Sequence, residues 1–565
     1  MKHLLQHFKT LTKHPRNAEE LKGLILQLAI QGKLTENWRQ VNPNVESASK
    51  LLEKIKEEKR GLIAEKKIKK EKPLPPIEDQ EKPYELPDGW VWCRLGKAVT
   101  YGTKFKAEKT KVENDTWVLE LEDVEKSTSK LLKKVRFNER QFKSTKSIFQ
   151  KGDVIYGKLR PYLDKVIVAD EDGVCTTEMI PINSHADCSP EYLRWYLKNP
   201  NFISYANDST HGMNLPRMGT DKAINAIYAL PPLEEQKAIV AIVNELFKEV
   251  EQLVEQTKTS IQLKEDFVTS ALQRLSQTVN LNQEWQFLQT HFTEFFTEKE
   301  TIKQLRETIL QLAVQGKLTT KWRSQNPNNE PASELLKRIQ TEKQELIAQK
   351  KIKKEKPLPP IEAHEKPYNL PEGWVWCRLN YGLKFIDYRG KTPKKISSGI
   401  RLLTAKNVRP GFLKIEPEEF MSEDEYNNWM TRGFPEKGDL LFTTEAPLGN
   451  VCQLELDERV GLAQRIITLQ PYTSELDKKY LMYCLMSRLV QELILDKATG
   501  MTATGIKAGK LKLIPFPLAP LEEQKAIVKQ VNSLMALCDS LEENIENSQT
   551  QIEQLLQSCL REVFN

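Results

Sequence analysis

The sequence predicts an α+β fold in which two globular domains of mixed helix and strand are joined by two long coiled-coil helices, all arranged as an internal repeat. Three observations support this. A block of sequence occurs twice, a seven-residue apolar seam follows each of two divergent stretches, and those stretches are rich in glycine-marked polar loops. ILQLAIQGKLTENWR from Ile25 returns as ILQLAVQGKLTTKWR from Ile309, an offset of 284 (309 − 25). At the same offset KKIKKEKPLPPIE (Lys66–Glu78) recurs unchanged as Lys350–Glu362, and LPDGWVWCRL from Leu86 returns as LPEGWVWCRL from Leu370. About two-thirds of positions 21–95 are identical in the second copy. Further on, LPPLEEQKAIV from Leu230 matches LAPLEEQKAIV from Leu518, an offset of 288 (518 − 230). Between these constant blocks, 96–229 and 380–517 barely resemble one another, and the change of offset falls inside them, where loops absorb length cheaply.

Taken in order, each constant element has a physical reading. The segment from Ser47, repeated from Pro331, places Leu51, Leu52, Ile55, Leu62 and Ile63 on one helical stripe. The lysine-rich run that follows reads as a solvated linker, with phosphate contact as the alternative, and Pro73, Pro75 and Pro76 favour an extended path. Trp90 and Trp92, two apart, are placed on one face of a strand as core anchors, as are Trp374 and Trp376. After Pro231-Pro232, acidic residues in a first turn signal a helix start. Ile239, Val243, Leu246, Val250 and Leu253 then alternate steps of four and three, as do Ile527, Val531, Leu534, Cys538, Leu541, Ile545, Ile552 and Leu555 in the second copy. Each helix is expected to run about 40 residues, or ~60 Å. The resulting partition is 1–83 helical, 84–232 first globular domain, 233–300 central long helix, 301–367 repeated helical region, 368–520 second globular domain and 521–565 C-terminal helix.

The chain has 565 residues, too many for one core. A mean hydropathy of −0.54, with no apolar run near 18 residues, argues against a membrane span. The first residues carry no continuous apolar stretch of the secretory kind, so a cytoplasmic location is expected. Eight cysteines without a CxxC pair argue against a disulfide scaffold or zinc ribbon. The formal net charge of +6 permits nucleic-acid binding without establishing it. No phosphate loop, HExxH, zinc-ligand cluster or dinucleotide turn is present, and the seven histidines are scattered, so no catalytic role and no metal are expected.

What the divergent stretches offer is loop chemistry able to donate to phosphates or read base edges. In the first, YGTKFKAEKTK from Tyr101 offers Lys104 and Lys106; GKLRPYLDK offers Lys158, Arg160 and Tyr162; HGMNLPR offers His211, Asn214 and Arg217. In the second, YRGKTPKK offers Arg389, Lys391 and Lys394; TAKNVRPG offers Lys406 and Arg409; FTTEAPLGN offers Thr443, Thr444 and Glu445; GMTATGIKAGK offers Thr502, Thr504 and Lys507.

The ordered set LPDGW/LPEGW, GDVIYGKLRPYLDKV, GDLLFTTEAPLGNV and PPLEEQKAIV/APLEEQKAIV resembles the specificity subunit of type I restriction–modification systems over essentially the whole chain. That resemblance implies that each divergent stretch is a target-recognition domain reading one half of a split site in double-stranded DNA. It implies a pseudo-twofold frame whose long helices pair antiparallel, set the half-site spacing and dock two methyltransferase (modification) subunits. Two motor-nuclease (restriction) subunits would complete the assembly. S-adenosylmethionine, ATP and magnesium would belong to those partners and none of them to this chain. The alternatives are a coiled-coil scaffold without DNA specificity and a degenerate methyltransferase or nuclease.

Overall fold

A computed structural model describes residues 17–70, 72–212, 214–278, 281–388, 393–500 and 504–564. The chain forms two compact units: the first runs to Ser260 and includes the residues from Ile552 on, and the second is Ile261–Gln551. The boundary falls inside the first long helix, Leu233–Gln277, which is 45 residues long; the second, Leu521–Phe564, has 44. Both begin just after a proline, with two glutamates in the first turn facing the positive end of the helix dipole. The central helix stops at Gln277 and does not reach 300. Two short helices, Leu281–Thr290 and Phe292–Phe295, follow it, because Leu288, Phe292 and Phe296 turn into the apolar core of the second unit. Among the described residues no helix is long and apolar enough to cross a membrane.

The first unit opens with the lead helix Asn17–Ile30 and the helix Ala48–Ala64. Its globular part is entered and left through one antiparallel ribbon, Val91–Arg94 against Ile227–Leu230. Between these strands lie two four-stranded sheets. One runs Val99–Tyr101, Met179–Ser184, Val154–Gly157, Val166–Val168, all antiparallel; the other runs Lys106–Ala107, Lys146–Phe149, Gly173–Cys175, Trp117–Leu119, its last pair parallel. The second unit repeats this plan despite its divergent sequence. Val375–Arg378 pairs Pro515–Leu518, and the antiparallel sheet becomes Leu383–Asp387, Ile466–Pro471, Leu440–Thr443, Val451–Gln453. The parallel pair becomes Ile400–Leu403 beside Val460–Leu462.

The constant motifs recur because they meet. In the first unit Glu235, 1% exposed on the first turn of the long helix, accepts hydrogen bonds from Thr35 Oγ1 (2.7 Å), Arg39 Nη1 (2.5 Å) and Trp90 Nε1 (2.8 Å). In the second unit Glu523 accepts the same three from Thr319 (2.7 Å), Arg323 (2.8 Å) and Trp374 (2.9 Å). GKLTxxWR, LPxGW and LEEQKAIV thus form one buried network in each unit, with the charge paired and its lone pairs filled. The next residue, Gln236 or Gln524, takes the backbone N–H of Ser189 or Asp477, just before the helices Pro190–Lys198 and Lys478–Met486. The proline segment is clamped as well. Arg94 grips Glu81 with two donors and reaches the carbonyls of Pro75 and Pro76, as Arg378 does with Glu365, Pro359 and Pro360.

Three sequence expectations change in detail. Only Trp92 lies in the strand; Trp90 precedes it, and its indole N–H points to Glu235. The stripe of the second helix buries Leu51 and Ile55 but leaves Leu62 and Ile63 half-buried, because Lys59 is buried in the next turn, donating to the carbonyls of Gly96 and Val99. The seam residues Ile239, Val243 and Val250 are packed inside their own unit, in one cluster with Leu26, Ala29 and Ile30 of the lead helix and Trp195.

Candidate nucleic-acid interface

In both units the first turn after a central strand is where candidate loops converge. The strand Val154–Gly157 runs into Lys158-Leu159-Arg160, whose backbone is held on two sides. Lys158 N–H donates to the Glu178 carbonyl (3.0 Å), Met218 N–H donates to the Lys158 carbonyl (3.0 Å), and Leu159 bridges Arg217. The GKLRP and HGMNLPR loops therefore lie side by side. In the second unit Thr444 N–H donates to the Arg465 carbonyl (2.9 Å), Ile506 N–H donates to the Thr444 carbonyl (2.9 Å), and Glu445 bridges Gly505. The two frames match position for position: 158 with 444, 178 with 465, 217 with 505. Arg160 and Ala446 occupy the same place, both left-handed (φ 52° and 48°) and both before a proline. A non-glycine residue is held there only when its surroundings over-determine the turn.

The turn in the first unit is pinned from behind. Lys198, on the helix Pro190–Lys198, donates to the Asp164 carboxylate at 2.5 Å and to Ser129 Oγ at 2.8 Å. Burial pushes the Asp164 carboxyl up to about 6 despite that ammonium, and burial lowers Lys198. Ser127 N–H reaches the Leu163 carbonyl, which fixes a polar hairpin beside the turn. Its counterpart is the hairpin of Val408–Arg409 and Phe412–Leu413, tied to the turn by Asn450 Nδ2 to the Val408 carbonyl (3.0 Å). TAKNVRPG, FTTEAPLGN and GMTATGIKAGK are thereby brought together.

Accounting for charge separates the cations. In the first divergent stretch Arg136, Arg140, Arg194 and Arg217 each bind a carboxylate. The Arg160 side chain has no hydrogen-bonding or ionic partner among the described residues, and its Nε is buried and unsatisfied, while its backbone N–H donates to the Pro216 carbonyl. In the second, Arg401, Arg459, Arg465 and Arg488 face carboxylates, and Arg432 donates to the Asp387 carbonyl. Arg409 has no such partner among the described residues, and beside it Phe412 is 55% exposed. Tyr162 is exposed next to Arg160, Lys158 is half-buried, and His211 and Asn214 are exposed at the neighbouring loop. Lys406, Lys394, Thr504 and Lys507 are exposed in the second unit.

Other candidates are placed differently. Lys104 Nζ donates to the Lys66 carbonyl and Lys106 Nζ to Ser147 Oγ, at the edge strand of the other sheet. Thr443 is fully buried and its hydroxyl accepts from Asn450 N–H (3.0 Å), so it shapes the turn. Thr444 is also buried, and it is the backbone that it contributes to the frame. Arg389, Lys391 and Thr502 lie outside the described residues. Sequence reading passed over Glu178, Arg465, Lys126 and Lys130. The first two sit at the frame itself and the lysines are exposed on the first-unit hairpin. Their sequence signal is slight, a single charge just before a strand and a KSTSK turn.

Comparison with known proteins places the chain in a family. The profile of the Type I restriction modification DNA specificity domain matches residues 411–551. The chain is 32% identical over 563 residues to the specificity subunit of the type I restriction enzyme EcoAI from Escherichia coli, covering 94% of this chain and 92% of that protein. It is 30% identical to the EcoEI specificity subunit from the same organism, covering 94% and 91%. In fold it is similar to a chain in a structure on complex assembly and conformational transition of the type I R-M system, with a TM-score of 0.51 at 20% identity, covering 86% of this chain and 99% of that one.

Proposed function

The chain belongs to the specificity subunits of type I restriction enzymes, and from that premise we propose that it reads a bipartite DNA sequence, one half with each divergent domain. The observation that carries this reading is the pair of matching frames. The backbone geometry is the same at 158/178/217 and 444/465/505, while the side chains presented there differ. Two unlike readers on a repeated scaffold suit an asymmetric split target. Centres about one helical turn apart, ~34 Å, let both enter the major groove from one side. A 45-residue helix, ~68 Å at 1.5 Å per residue, is long enough to set that spacing.

In this reading the constant helices dock two methyltransferase subunits, and two motor-nuclease subunits complete the cutting assembly. S-adenosylmethionine, ATP and magnesium are used by those partners, and this chain supplies recognition and no catalytic group. With a net charge of only +6, the partners contribute much of the phosphate neutralisation, so the isolated chain binds weakly and with a steep salt dependence.

Sequencing the methylated DNA of a host that expresses the chain with its modification partners tests this. The expected result is one split motif with two unlike halves. Arg160→Ala and Lys158→Ala should each weaken methylation through one half-site only, by ~1–3 kcal/mol for a base contact. An equal loss on all sequences with a shallower salt slope would assign those residues to phosphates. Methylation that follows no motif would contradict the proposal.

A further inference from the structure

Each frame holds one arginine–glutamate pair, and the polarity is inverted between units. In the first, Glu178 occupies the position whose carbonyl takes Lys158 N–H, and its partner Arg217 comes from the neighbouring strand. Arg217 Nε lies 2.9 and 3.1 Å from the two Glu178 oxygens, and its Nη1 donates to the Leu215 carbonyl at 3.2 Å. In the second unit the equivalent of Glu178 is Arg465, and its carboxylate partner, Glu445, comes from the turn, 3.6 Å away. Both arginine side chains stay exposed, 42% and 45%. Exposed ion pairs contribute little to stability, so the fold does not explain two of them at matching places.

We propose that Arg217 and Arg465 are specificity-determining residues that each read a guanine, with Glu178 and Glu445 as positioning residues. The assignment rests on the split-site reading above. A guanidinium has five N–H donors. Once Nε is held by Glu178 and one Nη1 hydrogen by Leu215, the outer edge of Arg217 still presents one hydrogen from each terminal nitrogen. That fork matches the O6 and N7 acceptors of guanine. At Arg217 the Glu178 carboxylate and the Leu215 carbonyl fix the plane of the guanidinium in advance, so less side-chain freedom is lost on binding, whereas at Arg465 the 3.6 Å ion pair with Glu445 biases the side chain by charge. The carboxylate also neutralises the charge. A neutral pair gains little from phosphate, which rewards charge, and keeps what a base edge rewards, which is direction. Inverting the pair moves the fork to a different strand of the same frame, so the two units place it over different parts of their half-sites.

Two consequences are measurable with the full chain assembled with its methyltransferase subunits. Each half-site should contain at least one G·C pair, and a half-site made only of A·T pairs would overturn the assignment for that unit. Methylation rates on the motif and on its single-base variants give the second test. Arg217→Lys keeps the charge and loses the fork, so discrimination at one G·C position of one half-site should fall about 5- to 150-fold. The other half-site, read in the same molecule, reports that the variant is folded. Arg465→Lys should do the same in the opposite half-site. Glu178→Gln should relax that same base position as Arg217→Lys, whereas a merely structural role would lower rates on all sequences alike. Unchanged discrimination at every position, or a uniform loss with a smaller salt slope, would overturn the proposal. Failure of the split-site reading itself would appear in the unsubstituted complex, as methylation without any bipartite motif.

Discussion

Residues 285–565 expressed alone should form a homodimer whose target, with the methyltransferase partner, is a palindrome. The fragment carries the second unit's globular domain and long helix but lacks 261–284. Val268, Ala271, Leu272 and Leu275 from that missing stretch belong to the same buried cluster as Ile527, Val531, Cys538, Leu541 and Ile545. Removing them exposes the seam, at roughly 1.5–3 kcal/mol for each large side chain left in water. A second copy can restore what is lost. By the repeat offset of 288, residues 268, 271, 272 and 275 correspond to Leu556, Cys559, Leu560 and Val563, all apolar. Two copies exchanging these ends give a self-complementary interface, and two identical readers give the second half-site repeated in inverted orientation. Sedimentation checks the first step, and a folded monomer contradicts it. Sequencing of methylated DNA checks the second, and a non-palindromic motif contradicts the assignment of one domain to one half-site.

Glu523→Ala should destabilise the second unit and leave the first intact. The substitution strips the acceptor from Thr319, Arg323 and Trp374 at once, in a site where Glu523 is 1% exposed. Breaking a buried pair from one side costs about 3–5 kcal/mol, because the remaining partner is left uncompensated. Hydrogen exchange followed by mass spectrometry localises the loss. Protection should fall around 313–323, 370–378 and 518–531, with 29–39, 86–94 and 230–243 unchanged. Glu235→Ala should give the mirror result. Equal loss in both units, or none in either, would contradict the reading of these carboxylates as local keystones.

The scaffold was largely legible in the sequence, because identical residues at a constant offset need no structural knowledge to detect. The seam and the helix starts followed from spacing, but the tryptophan pairs did not share a strand face: Trp90 and Trp374 precede the strands that hold Trp92 and Trp376. What spacing could not convey was that three of these motifs meet on one carboxylate. Glu234 and Glu235 are adjacent and alike in a linear sequence, and only the fold turns the second inward. The readers were less legible for a physical reason. Strands of three residues, such as Gly173–Cys175 and Val460–Leu462, are too short to show a period. Glu178 and Arg465 are single charges in the turns just before the strands Met179–Ser184 and Ile466–Pro471, and their equivalence emerges only from matching backbone hydrogen bonds. Thr443 and Thr444 looked like loop residues because FTTE is polar after an apolar run, yet the strand Leu440–Thr443 carries the first of them into the core.

The central claim is that each divergent domain reads its own half of the target. Exchanging residues 96–229 for the corresponding stretch of another family member, followed by sequencing of methylated DNA, tests it most directly. The constant network at Glu235 and the strand Val91–Arg94 flank that stretch and remain to receive the new domain, whose last residues take the place of Ile227–Ala229 in the ribbon. The account predicts a motif with one half-site replaced, the other retained and the spacing between them unchanged. A motif altered in both halves, or in neither, would contradict it.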